Sequence, residues 1–434
     1  MAHLLMIESW MRSSGEALPG VIARLGHRYT FLTRDPALYP PGPDGAPHPA
    51  LAGADEVVVA DTNQLVALVH LAAALHERTP FDGVLTTCDY YLEAVALVAE
   101  ELGLPGPAPA AVRVATRKHL VREALTRAGV PNPRFAVGHS WDEVGQAAGR
   151  VGYPLVAKPV DGNSSTAVRR VDDEAGLRAV FDAVHAIPTN TRDQPLARLV
   201  LVEEVLTGPE VSVEAVTVDG HTTVLGITDK SVVGHPAFVE SGHQFPVDLP
   251  TDVAATVESL VRDALVAIGW SHGVSHTEVM ITPAGPRVVE INPRQGGNHI
   301  FELVRRVTGT DVLEVLTTLA LGQAELPAAG AQERPRSAAV HFVLSGRDGS
   351  LIDISGAELL ADDPNVVDCN LPVVEGAPLA VFRPRDNEDY LGHVIVVSHN
   401  DLHARRRAEA AVRSLRLQFA DGTEAAPLVA PEVG

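Results

Sequence analysis

The sequence predicts a multidomain protein of the α/β and α+β classes. An open parallel α/β domain comes first, a mixed domain follows, and a β-rich C-terminal domain ends the chain. Three observations carry this. At 434 residues the chain is too long for one hydrophobic core, so two or three domains are expected. Apolar strands and amphipathic helices alternate up to about residue 107, as in a parallel sheet. Beyond residue 200, apolar runs follow one another across short turns, as in antiparallel hairpins.

The elements follow in order. "HLLMIE" (3–8) reads as a buried strand; a Ser/Gly turn and the helical "EALPGVIARLG" come next, then "RYTFLT" as a second strand. "PALYPPGPDGAPHP" (36–49) is a Pro/Gly-rich exposed loop. "DEVVVA", "LVALVHLAAALHER", "FDGVLTT" and "YLEAVALVAEELG" continue the strand–helix alternation, and "GLPGPAPAAV" (103–112) marks its exit. "RKHLVREALTRAGVPNPRFAV" is a helix and a strand, while "YPLVAKPV" and "RLVLVEEVL" are strands flanking a polar loop and a helix. In "EVSVEAVTVDGHTTVLGITDK" the Asp219–Gly220 pair makes a hairpin turn. The predicted domains are 1–111, 112–325 with a small lid at about 125–205, and 326–434.

Composition narrows the function. Hydrophobic residues at 46% and charged residues at 21% describe an ordinary globular protein. A formal charge of −21 argues against a general nucleic-acid or anionic-membrane surface. Cys88 and Cys369 are the only cysteines, so no disulfide framework is expected. Glu8 interrupts "MAHLLMIESWMR", which reads as a first strand rather than a signal peptide, and no stretch has the length of a membrane span. The expected location is the cytoplasm. Of 34 basic residues only Lys118, Lys158 and Lys230 are lysines. Where arginine supplies the generic positive charge, a lysine points to a need for a compact, flexible ammonium group.

"VVEINPRQGG" (288–297) is the most informative stretch. Alternate residues of a strand share a face, so Glu290, Asn292 and Arg294 form a polar row unsuited to a core. The preceding "GVSHTEVMITPAGPR" makes a hairpin, and a turn centred on Ala284 sets Glu278 opposite Glu290. Opposed like charges destabilise a strand pair unless a cation lies between them. Hard oxygen ligands suit magnesium, with Asn292 as a third donor. A solvated edge hairpin is the plainer reading of the same residues.

"YPLVAKPVDGNSSTAV" sets Lys158 at a strand end, before a small-residue loop containing Ser164, Ser165 and Thr166 that can turn amides and hydroxyls to phosphate. It lacks the G-x-x-x-x-G-K-[ST] of a P-loop. "LVEEVLTGPE" ends a buried strand in Glu203 and Glu204, with Glu210 seven residues after Glu203; such a hinge can offer backbone groups to adenine and a carboxylate to ribose.

Together these residues, over about 112–325, resemble the ATP-grasp superfamily. The resemblance lies in the order Lys118, Lys158, small-residue loop, Glu203/Glu210, then Glu278–x11–Glu290–x–Asn292–x–Arg294, a spacing similar to that of biotin carboxylase. It implies the cofactors ATP and Mg2+, for which Mn2+ can substitute. Lys118 and Lys158 would contact phosphates, Glu203 and the backbone around Val205 adenine, and Glu210 ribose, with Glu204 also among the cofactor-binding residues. Glu278, Glu290 and Asn292 would hold the metal, and Arg294 the transferred phosphate. The loop departs from many relatives in lacking a second glycine after its serines.

"GITDKSVVGHPAFVESGHQFPVDLP" (226–250) looks like the corresponding segment of the carboxylate–amine ligase branch that includes bacterial L-amino-acid (dipeptide) ligases. The implied activity is amide formation through an acyl-phosphate. Lys230 or His243 would neutralise the phosphate or orient the acid, and Glu240 would bind or help deprotonate the amine. The implied partners are small carboxylate and amine substrates and a second copy of the chain, with no nucleic acid and no membrane. The rival readings are a biotin-carboxylase-like carboxylase and an ATP-binding regulator without turnover.

Overall fold

A computed structural model describes the chain apart from residues 43–44, 164, 234–238, 324–332, 375 and 430–434. The first strand, His3–Ile7, is wholly apolar after its histidine and wholly buried, as a central strand of a parallel sheet must be. It lies between Arg28–Thr33 and Gly83–Leu85, with Glu56–Val59 at the edge, and every pair is parallel. Helices Ser14–Arg24, Leu65–Arg78 and Leu92–Leu102 lie among these strands in the chain. The segment Glu8–Ser13 leaves the carboxyl end of the first strand, the usual position of a ligand-binding crevice in such sheets.

The lid is a four-stranded antiparallel sheet in the order Phe135–Gly138, Val200–Glu204, Leu155–Pro159, Arg169–Val171. Helices Trp141–Val151 and Glu174–Ala186 bury Val144, Leu177 and Val180 against Leu155 and Val202. The first of these helices starts on a Ser140/Glu143 capping box, and Asp173 caps the second.

The largest sheet has eight strands, ordered Gly285–Asn292, Gly273–Thr282, Glu210–Val218, His221–Val233, Val239–Phe245, Ser337–Val343, Gly392–Ser398, Val366–Asn370. Asp219 and Gly220 both have positive φ, 48° and 79°, as a two-residue hairpin with right-handed strand twist requires. The boundary expected at 326 does not coincide with a break between sheets. Ser337–Val343 pairs with Val239–Phe245, and two further C-terminal strands extend the same sheet. The strand pattern of "HFVLSG" showed an apolar strand but not the edge it joins, and an unpaired edge is covered wherever the chain can reach it. The rest of the C-terminal segment forms a separate sheet ordered Leu379–Val381, Gly349–Ser355, Arg416–Phe419, Glu424–Ala425.

Candidate active site

Glu278 does face Glu290, but not through the turn expected from the sequence. Pro283–Ala284 alone join the strands, so Thr282 faces Gly285 and the pairing begins one residue out of step. An extra residue at Val289 restores the step, and beyond it Glu278 faces Glu290 and His276 faces Asn292. Arg122 holds this bulge, donating from Nη1 to the Val288 carbonyl at 3.2 Å and from Nη2 to the Val289 carbonyl. Sequence reasoning missed Arg122. The available signal was its place four residues after Lys118, on one face of the helix Lys118–Ala128.

A cavity of about 550 Å3 lies over the hairpin, within the range of small-molecule sites. All three lysines of the chain line it. Lys230 Nζ lies 2.8 Å from Glu210, 3.1 Å from Glu240 and 3.2 Å from Glu278. Lys118 Nζ lies 3.2 Å from Glu290 and donates to the Gly162 carbonyl at 2.6 Å. Burial opposes the charge on Lys230, but its three carboxylates outweigh that and raise its pKa well above the usual lysine value. Burial opposes ionisation of Glu278 too; Lys230 and His276 outweigh it and hold the carboxyl well below the usual range. Glu210 is different. Burial pushes its pKa up, and Glu278 and Glu240 add to that.

Three carboxylic groups crowd around one ammonium, and Glu278 links this cluster to Glu290 across the hairpin. Among the described residues no three His, Cys, Asp or Glu side chains form a metal cage. The paired glutamates and Asn292 supply the hard oxygens that magnesium takes, with water and phosphate oxygens left to complete the shell. These residues fit magnesium carried in with a nucleotide.

On the lid side, Lys158 and Arg122 share Glu203, at 2.7 Å from Nζ and 2.6 Å from Nε. Burial opposes ionisation of Glu203, yet the two cations hold its pKa at about 2. Both of its oxygens are thus engaged, which leaves the neighbouring backbone, including Val205, to offer groups to a base. Glu204 pairs with Arg134 at 2.8 Å on the cavity rim. Ser165 lines the cavity; Thr166 does not, being exposed in a turn that closes on the Asn163 carbonyl. Ser164, like Phe238 of the ligase-like segment, lies outside the described residues.

The opposite wall carries the other predicted residues. Glu240 accepts from Asn298 and lies 3.2 Å from His243 Nε2. Arg294 is ion-paired with Asp89 and donates to the Gln295 carbonyl at 2.7 Å. His276 lines the cavity and meets Glu214 at 2.8 Å; burial opposes its charge, but Glu214 raises its pKa to about 10. Asp89, Glu214 and Asn298 carried no recognisable signal, because each acts through a partner distant in the chain. Arg305 and Arg306 both pair with Glu302 and do not line the cavity. Trp10 lines it, whereas Tyr91 belongs to the N-terminal core.

A lid bearing one lysine and a hairpin with two opposed glutamates line one cavity, an arrangement that can take a phosphate chain together with a divalent cation. Three family models match: the ATP-grasp N-terminal domain over 23–106, the ATP-grasp domain over 151–302 and the L-amino acid ligase C-terminal domain 2 over 341–420. Together these models describe an ATP-grasp N-terminal domain, an ATP-grasp domain and an L-amino acid ligase C-terminal domain in one chain.

Among curated proteins it is similar to the uncharacterized protein y4rH of Sinorhizobium fredii, at 29% identity over 95% of this chain and 82% of that one. It is 35% identical to carnosine synthase 1 of Gallus gallus over 56% of this chain, and 25% identical to alanine–anticapsin ligase of Bacillus subtilis over 58% of it. The match covers 27% of the length of the former and 57% of the latter. An L-amino acid ligase structure from Bacillus licheniformis shares the fold, with a TM-score of 0.77 and 22% identity over 96% of this chain and 99% of that one. Among the described residues, no helix is long and apolar enough to cross a membrane.

Proposed function

We propose that this chain is an ATP-dependent ligase that joins a carboxylate to an amine through an acyl-phosphate, with an amino acid among its substrates, releasing ADP and phosphate. The observation that carries this is the sharing of one cavity by the Glu278–Glu290 pair, all three lysines and the Glu240–His243 pair. A carboxylate is a poor electrophile. Its oxygen attacks the γ-phosphorus of ATP, and the bond to the ADP oxygen breaks. The amine nitrogen then attacks the acyl carbon, phosphate leaves, and the nitrogen gives up its proton.

Each side chain has a place in this scheme. Lys118, Lys158 and the loop with Ser164 and Ser165 hold phosphates, the backbone at Val205 takes adenine, and Glu210 takes ribose. Magnesium, held by Glu278, Glu290 and Asn292, would screen the repulsion between carboxylate and triphosphate. Arg294 meets the transferred phosphate, and Lys230 and His243 orient the acid. Glu240, already bonded to His243 and Asn298, receives the ammonium group or its proton. The names of the carnosine synthases and alanine–anticapsin ligase support an amino-acid substrate. We place the activity in the cytoplasm, in a homodimer.

The test is phosphate release from magnesium–ATP against amino acids and amines, singly and paired, with mass detection of products. Release that requires a pair and yields a condensed product supports the ligase. Release that requires bicarbonate overturns it in favour of a carboxylase.

A further inference from the structure

The cations that line the cavity are already engaged, with one exception. Lys118, Lys158, Lys230, His276 and Arg294 each have a carboxylate partner. Arg12 also lines the cavity, and among the described residues its guanidinium has neither an ion pair nor a hydrogen bond. An unpaired cation in a wall where every other cation is neutralised marks the place of an anionic group brought by a ligand.

Arg12 is exposed, but the segment that carries it is fixed. Glu8 and Ser13, at its two ends, have φ of 53° and 56°, a region that non-glycine residues seldom adopt. Backbone groups along the segment are clamped. The Ser9 amide donates to the Tyr39 hydroxyl at 2.9 Å, and the Trp10 amide donates to Thr87 Oγ1 at 3.0 Å. The Met11 carbonyl lies 2.9 Å from His48 Nε2, and the Arg12 carbonyl accepts from the Gly15 amide at 3.1 Å. Gly15 is needed there, since a Cβ would come within 1.8 Å of the Trp10 carbonyl oxygen. Ser14 Oγ meets Gln295 Nε2 at 3.1 Å, which joins the segment to the end of the Glu290–Arg294 motif.

We infer that Arg12 binds the carboxylate of the amine-bearing substrate. The inference rests on the ligase reading above. The acid substrate has its carboxylate turned to the phosphates for activation. The acceptor offers its nitrogen to the acyl carbon, and its own carboxylate must be held away from ATP. Arg294 could take that carboxylate only by releasing Asp89, whereas Arg12 has no partner to release among the described residues. The planar guanidinium also matches a carboxylate by two parallel hydrogen bonds.

The experiment compares the acceptor amino acid found in the pairwise screen with its own carboxamide, in the full-length wild type and in Arg12→Ala and Arg12→Lys. The wild type should prefer the free acid. Arg12→Ala should raise the KM for the free acid by about tenfold or more, as expected for loss of a charge-assisted contact, and erase its preference over the carboxamide. Arg12→Lys should recover part of the preference. A preference that survives in Arg12→Ala overturns the role of Arg12 and leaves the ligase standing. A wild type that releases no phosphate with any pair overturns the ligase reading and the Arg12 assignment with it.

Discussion

Glu278 and Glu290 face each other across an antiparallel pair, and each is held by a different lysine, Lys230 for the first and Lys118 for the second, both at 3.2 Å. The two carboxylates are therefore poised at one place but anchored from opposite sides. Glu290→Gln removes one carboxylate of the proposed metal pair and its ion pair with Lys118. It should lower turnover at least about a hundredfold and cost no more than about 1 kcal/mol of stability. Phosphate release and a thermal melt check this; near-wild-type turnover would remove Glu290 from the site.

Lys230→Met should leave Glu210, Glu240 and Glu278 close together without their shared cation. The variant should melt earlier than wild type near neutral pH. Lowering pH from about 8 to about 5 should recover part of the loss, because crowded carboxylates then take up protons. Magnesium chloride without nucleotide should raise its melting temperature more than that of wild type. Equal responses to magnesium would show that loss of Lys230 leaves no uncompensated negative charge beside Glu278.

The Glu203 carboxyl has its pKa depressed from the usual 4.5 to about 2, through Arg122 and Lys158 acting against burial. A depressed acid stabilises the fold above its unfolded pKa and loses that contribution as pH falls through the folded value. Acid unfolding should therefore steepen below about pH 4.5. Lys158→Ala removes one of the two counter-cations, so it should reduce stability as well as turnover, unlike Glu290→Gln. Urea melts across this pH range test the difference.

Burial, with His393 adding to it, lowers the pKa of His299 from 6.5 to about 4, and burial lowers that of His341 equally. The folded state binds fewer protons than the unfolded one between these values, so stability should fall as pH drops from about 6.5 to about 4. Because His299 has a φ of 66°, asparagine suits the position better than alanine. His299→Asn should flatten part of the acid slope. An unchanged slope would sink the assignment to His299.

Arg192 reaches from the lid into the N-terminal domain, is 2% exposed, and donates to the Ser9 carbonyl at 2.6 Å. Its guanidinium lies 5.8 Å from the Trp10 ring and 5.5 Å from the Tyr39 ring. Arg192→Met should loosen the segment that presents Arg12, raising the acceptor KM more than the KM for ATP. Arg192→Lys should restore part of the ratio. Equal changes in both KM values would mean that Arg192 serves the fold at large.

Much of the site was legible because its chemistry follows local rules. Three lysines among 34 basic residues stood out by rarity, and all three line the cavity. The period of two in "VVEINPR" put Glu290 and Asn292 on one face, as the paired strands have them. The pairing of Glu278 with Glu290 was right for a partly wrong reason, since a bulge at Val289 and not the turn sets it. A bulge adds one residue without altering the apolar pattern enough to announce itself.

By itself the sequence determined the element order, the hairpin turn at Asp219–Gly220, the shared face of Glu290 and Asn292 and the lysines, because propensity, period and turn chemistry act over a few residues. Only the tertiary structure decided which distant charges meet. Arg122 reaches Glu203, Arg294 reaches Asp89, Arg192 reaches Ser9, and a C-terminal strand completes the central sheet. Such pairings are set by burial, where an ion needs whichever counter-charge the folded chain brings within a few ångströms, and no local pattern records that choice.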